Sequence, residues 1–231
     1  MKRSYLILIS AALVAAGIFF LGVFIKSGID NMAFRDRQVT VKGLAEREVE
    51  ANRVTWPIQF SVAGNDLLSL YDQVTRYNEK IVTFLTTNGI DKNEISINPP
   101  DTYNATTNQY SSGNFKYNYS LTCNVTVTTS KVAKVRELLD RQAELLKEGI
   151  PYSNSYINYE YTALNDIKPT MIAEATKNAR DAAARFAEDS GSKVGKMKTA
   201  SQGQFSIEDQ SATPFLKKVR VVTTIVYYLE D

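Results

Sequence analysis

The chain has 231 residues, with 27 Lys and Arg against 25 Asp and Glu, one Cys and no His. This length holds one domain or two small ones with a real core. The absence of His removes Ser-His-Asp and Cys-His catalysis and nearly all zinc hydrolases, and a single Cys excludes intramolecular disulfides and CxxC-type metal sites.

After Met1-Lys2-Arg3 comes an uncharged run, SYLILISAALVAAGIFFLGVFI, over residues 4–25. As a helix it would be roughly 33 Å long, enough to cross a bilayer core. It lacks the short apolar region and A-x-A-like site of a cleaved signal peptide, which is the runner-up reading. Lys2 and Arg3 are expected on the cytoplasmic side, with the remainder beyond the membrane. From residue 31 onward the chain carries 24 charges of each sign, without the basic excess of a nucleic-acid binder.

Residues 26–37 read as a short linker, and QVTVKG opens a strand. In VTWPIQFSV, Val54, Trp56, Ile58, Phe60 and Val62 share one face, while Pro57 on the other phase favours an edge strand or a bulge. Asn65 or Asp66 caps a helix whose stripe is Leu67, Leu70, Tyr71, Val74, Tyr77, Ile81 and Leu85, and Asn88-Gly89 stops it. EISINPPDTY is a strand broken at Pro99-Pro100, followed by a polar loop over 104–114. YNYSLTCNVTVTT alternates, with Tyr117, Tyr119, Leu121, Cys123, Val125 and Val127 inward.

A second helix is expected from Ser130 to about Glu148, with Gly149 as its stop, followed by a strand in SYINYEYTA. A third helix starts near Asn165-Asp166, with Pro169 placed in its first turn, and ends at Gly191. The strands VGKMKTASQG and KKVRVVTTIVYYLE close the chain. The last is apolar on both faces, hence central or at a subunit contact. The order is ββαββ-α-β-αββ, an α+β arrangement with sheets covered by helices.

Candidates for chemistry are few. Ala175, Ala179, Ala183 and Ala187 recur every fourth residue and suit close packing, since alanine neither ligates nor titrates. Cys123 sits on an inward strand phase and reads as a buried structural thiol. Glu46, Glu48 and Glu50 share a strand face that could bind a divalent cation but more often marks a solvated edge. Residues 101–120 mix Tyr, Asn and Thr. Within them Tyr103, Tyr110 and Tyr117 are the candidate contacts for a ligand or a second subunit. No phosphate-binding loop or dinucleotide fingerprint is present, and no catalytic, cofactor or metal residue is assigned.

The stretch IAEATKNARDAAARFAEDSGSKVGKMKTASQG resembles the signature of the SIMPL-domain family. The resemblance rests on Ala179-Arg180, Ala183, Ala187, Gly191 and Val194-Gly195-Lys196. Val41-Lys42-Gly43 through Val54 is similar to the family's opening strands, and AELLKEGI…INYEYTALND to the segment before the signature helix. It covers about residues 39–229. Many members have Pro-Asp where this chain has Asn52-Arg53, and many have a cleaved signal.

The resemblance implies a periplasmic or surface protein, with some members oligomeric and some linked to oxidative-stress tolerance. It carries over no catalytic residue. The expectation is an N-terminal transmembrane helix (4–25, after a 1–3 cytoplasmic stub), a linker (26–37) and an antiparallel-rich SIMPL-like domain (38–231). The protein would be single-pass in a bacterial inner membrane, its bulk periplasmic, acting by binding or homo-oligomeric assembly, without nucleic acid or cofactor. The competing readings are a carboxylate- or Ser/Lys-based hydrolase and a ligand-binding accessory of a transporter.

Overall fold

In the computed structural model, residues 2–34, 37–105, 116–153 and 156–230 are described, the side chains of 2–12 and 30–34 excepted. The elements run α1 (Lys2–Phe34), β1 (Gln38–Glu50), β2 (Arg53–Gly64), α2 (Leu67–Thr87), a 3-10 turn (Lys92–Glu94), β3 (Ile95–Ile97), β4 (Asp101–Asn104) and β5 (Tyr119–Thr129). They continue with α3 (Val132–Asp140), α4 (Ala143–Lys147), β6 (Tyr152–Ser153), β7 (Asn158–Glu160), α5 (Leu164–Asp189), β8 (Lys193–Gln202), β9 (Ser206–Asp209) and β10 (Leu216–Glu230). The class is α+β with antiparallel sheets. Among the described residues no helix is long and apolar enough to cross a membrane. Residues 4–12 of the expected 4–25 span lie outside the described side chains.

The chain divides into two units: Met1–Arg47 with Ile167–Ser206 and Val219–Asp231, and Glu48–Asp166 with Ile207–Lys218. In the second unit a six-stranded sheet has the order β3-β5-β2-β6, with β4 on β5 and β7 on β2. β2 and β5 pair along their whole length, from Val54↔Thr129 to Gly64↔Tyr119. The period-two pattern puts Trp56, Ile58, Phe60 and Val62 of β2 and Leu121, Cys123, Val125 and Val127 of β5 into one core with Leu70, Val74, Ile81 and Leu85 of α2. Each such side chain removed from water contributes about 1.5–3 kcal/mol. Phe60 and Tyr77 add an edge-to-face pair at 5.7 Å.

Pro57 is in neither the edge strand nor the bulge expected, since its pairing with Thr126 is in unbroken register. Its strand is interior, but β7 pairs with 53–55 and β6 with 59–60, so the proline stands in the gap between them, where no ladder bond is required of it.

Asp66 caps α2, its Oδ2 accepting from Ser69 N at 3.1 Å. The expected 130–148 helix is interrupted at Arg141–Gln142, where Arg141 N bonds Leu138 O and Gln142 N bonds Leu139 O, three residues back. Tyr71 of α2, placed on the apolar stripe from sequence, is 41% exposed, and Leu146 of α4 is 53% exposed. The strand expected in SYINYEYTA reduces to Asn158–Glu160 among the described residues.

In the first unit the sheet order is β1-β10-β8, with β10 central. Val41, Ile225 and Tyr227 pack with Ala179 and Ala183 of α5. Ala175, Ala179, Ala183 and Ala187 are all at most 1% exposed. The reason for alanine is Gly43. A Cβ built on it would fall 1.8 Å from Ala175 O and 2.5 Å from Ala179 N, so strand and helix backbones touch.

α5 stops at Gly191 (φ 69°), with Gly191 N bonded to Glu188 O and Ser192 N to Ala187 O, a left-handed stop that glycine alone adopts without strain. Gly89 and Gly149 end α2 and α4 the same way.

Two boundaries differ from expectation. α5 begins at Leu164, so Pro169 lies beyond its first turn. α1 continues through Phe34, so most of the 26–37 connection is helical. β8 forms an edge, exposed on both faces over most of its length and bearing Lys193, Lys196 and Lys198.

Candidate binding groove

A groove of about 820 Å³ lies between α2 and the α3–α4 segment of the second unit. Its walls on α2 are Arg76, Lys80, Thr83, Phe84 and Thr87, positions that the 3.6-residue period sets along one side of a helix. Facing them are Arg141, Glu144, Leu145, Lys147 and Glu148. Leu145 (1% exposed) and half-buried Phe84 make an apolar floor.

Two ties across the groove hold it open. At one end Lys80 Nζ donates to Glu148 O (2.9 Å) and Glu148 Oε2 (3.0 Å). At the other, Arg141 Nη1 donates to Asn88 Oδ1 (2.7 Å) while its Nε and Nη2 grip Glu144 (2.9 and 3.1 Å). Both ties are partly solvated, so each contributes only about 0–1 kcal/mol to stability. Their effect is on shape.

The charged groups in and near the groove are held by their neighbours. The Arg141 hydrogen bond holds the Glu144 carboxyl below its ordinary range, and the Lys134 hydrogen bond does the same for Glu137. Elsewhere in the unit, burial pushes Glu94 up, but the Thr129 hydroxyl (2.6 Å), the Asp91 amide and Lys131 together outweigh it, and the net shift is downward. Lys131 is raised by its hydrogen bond to Asp91. These groups are held in their charged forms, whereas a general acid or a neutral amine nucleophile needs the opposite shift. Cys123 is 1% exposed, its Sγ 3.5 Å from Asn98 O and from Asn78 Oδ1.

The tyrosines singled out from sequence are elsewhere. Tyr103 lies on β4 opposite Ser120, at the register position beside Tyr119 and out of phase with it. Tyr117 precedes β5, with Lys116 Nζ 5.3 Å from its ring centroid. Tyr110 lies outside the described residues. Glu46 and Glu48 have separate partners, Arg220 Nε at 3.6 Å and Gln210 Nε2 at 2.8 Å. Among the described residues no three His, Cys, Asp or Glu side chains are grouped to hold a metal.

The family model for SIMPL, described as a protein of unknown function (DUF541), matches residues 39–227. The chain belongs to the SIMPL family. No curated protein matches it. The SIMPL match begins in β1 and ends in β10, so it takes in both units, including the groove and the Gly43–α5 contact. The groove residues of this SIMPL chain carry no recognisable motif. The one sequence cue is the series Arg76, Lys80, Phe84, Asn88 at four-residue spacing, which reads as an ordinary solvated helix side until the facing helix is known.

Proposed function

We propose that this SIMPL protein is tethered by α1 in a bacterial inner membrane, with residues 38–231 on the periplasmic side, and that it acts there by binding, not by catalysis. The observation that carries the reading is the apolar surface of α1. Leu13, Val14, Ile18, Phe19, Phe20 and Phe24 are 60–74% exposed, and at 100° per residue they are spread around the whole axis with no gap wider than about 100°. A helix apolar on every side is a buried helix, and a bilayer covers it without requiring a matched partner. The uncharged run 4–25, preceded by Lys2 and Arg3, supports the same placement and orientation.

Binding is favoured by a preformed groove in which the Arg141 hydrogen bond holds the Glu144 carboxyl ionised. A hydrolase would need a carboxyl held protonated or a neutral amine beside a bound substrate. A part in stress tolerance rests on the family resemblance alone.

The test is intact-mass measurement of the membrane-extracted protein, with protease protection on spheroplasts. The full-length mass and digestion of 38–231 from the outside are expected. A mature start between residues 16 and 32, or digestion only from the cytoplasmic side, overturns the tether or its orientation.

Self-association is a second reading with its own observation. The face of β10 turned away from α5 carries Val222, Val226 and Tyr228, all only half-buried. Copies held in one membrane are concentrated enough for such a face to pair.

A further inference from the structure

We infer that the groove between α2 and α4 binds a single-chain anionic amphiphile, an acyl chain of about ten carbons with a carboxylate or phosphate head, from its roughly 12 Å spacing between ties (Lys80 to Asn88 along the helix). The inference rests on the reading that the protein acts by binding, and names the ligand class.

The charges carry the polarity of the site. Of its four cations, Lys80 is committed to Glu148 and Arg141 to Glu144 and Asn88. Arg76 and Lys147 make no hydrogen bond or ion pair within 4 Å among the described residues, although the Lys147 charge is felt by Glu144. Glu79 is the one carboxylate lining the groove that is not in an ion pair. An excess of positive charge therefore remains. It lies at the Lys80 end, because Arg76 is one helical turn from Lys80 and Lys147 is next to its partner Glu148.

Between the ties the surface is half-buried Phe84 and the exposed Thr83 and Thr87 side chains, over the buried Leu145. The Thr83 hydroxyl is turned back onto Glu79 O (2.8 Å), leaving its methyl group as the remaining surface. A small polar ligand would leave this floor wet, and a neutral lipid would leave the cations unused. An anionic head with one chain satisfies both. A groove of this volume is within the usual range for small-molecule sites, and its two ties hold it open before the ligand arrives.

The experiment uses the full chain in phosphatidylcholine nanodiscs and a dodecanoate probe with a terminal diazirine, irradiated and mapped by mass spectrometry. Labelling is expected in residues 76–88 and 141–148, competed by dodecanoate or by lysophosphatidylglycerol and not by dodecanol. The stronger competitor identifies a free fatty acid or a lysolipid as the source.

The double variant Arg76→Ala/Lys147→Ala should weaken competition by dodecanoate roughly tenfold. Thr87→Trp, at an exposed position that fills the groove, should abolish groove labelling with the thermal midpoint kept. Labelling confined to α1, or unchanged in both variants, overturns the inference while leaving the tether intact. So does displacement of groove labelling only by an acidic amphipathic peptide, which would give the groove to a protein partner.

Discussion

Gly43 lies against Ala179 so closely that a methyl group on the glycine would stand 2.8 Å from the alanine's own Cβ. One residue is on β1 and the other on α5. With Ala175 O closer still, at 1.8 Å from the same methyl position, neither side has room to move alone.

Ala183→Leu should therefore overpack this seam and destabilise the chain by about 1–3 kcal/mol. Ala184, one residue on, is exposed, and its change to Leu should cost less than about 0.5 kcal/mol. Thermal or urea melts decide this, and equal shifts for the two variants would mean the wrong helix face has been assigned. Gly43→Ala should be at least as damaging as Ala183→Leu.

The pH behaviour of Glu94 follows from its neighbours. Its carboxyl is held below its ordinary range in the folded chain, so its contribution is present above the unfolded pKa and lost as pH falls through the folded value. Lys131, raised above its ordinary range by its hydrogen bond to Asp91, contributes below its unfolded pKa and loses its contribution as pH rises through the folded value. The cluster is thus intact across the neutral range. In Thr129→Val the hydroxyl donor is gone, and carboxyl carbon NMR should show the Glu94 midpoint moving upward. An unmoved midpoint would rule out the Thr129 bond as a contributor.

Lys217 is 3% exposed and its Nζ meets Asp209 Oδ1. Removing the acid strands a buried charge. Asp209→Ala should cost about 1–3 kcal/mol, less than for a fully buried pair because Asp209 itself is 60% exposed. Lys217→Met, which keeps the packing without the charge, should be milder. The order of the two denaturation midpoints is the readout, and the reverse order would remove the pair from the account.

Self-association should appear in light scattering of the detergent-extracted chain at micromolar concentration as a mass above one protomer. Val226→Lys should return it to one. A strict monomer, with Val226→Lys without effect, leaves the half-buried face of β10 without a subunit role.

What could be read from the sequence was local. The alternation in 54–62 and 121–127 gave the core face of two strands correctly, and Gly89, Gly149 and Gly191 marked helix stops because a positive φ is a property of one residue. The alanine stripe was visible too, but not its cause, since Gly43 is far away in the chain. The break at Arg141 has no Gly or Pro to announce it. Arg141 is tied there to Asn88, a contact 53 residues apart, and the facing wall of the groove depends on that break. Lys80 and Glu148 are 68 residues apart and show no pattern along the chain. The tyrosine set drew its appeal from composition, and the pairing register of β4 on β5 puts Tyr103 out of phase with the neighbouring Tyr119.

The lysines of β8 bear on how copies can combine. An unguarded edge strand invites another strand, which presents a further edge, and growth of that kind has no natural end. Three positive side chains along a ten-residue border make that addition repulsive for a like-charged neighbour. Association through the broad face of the sheet, by contrast, uses up the face that made it and closes as a pair or a ring. Many copies can then be held close together without their running into fibres.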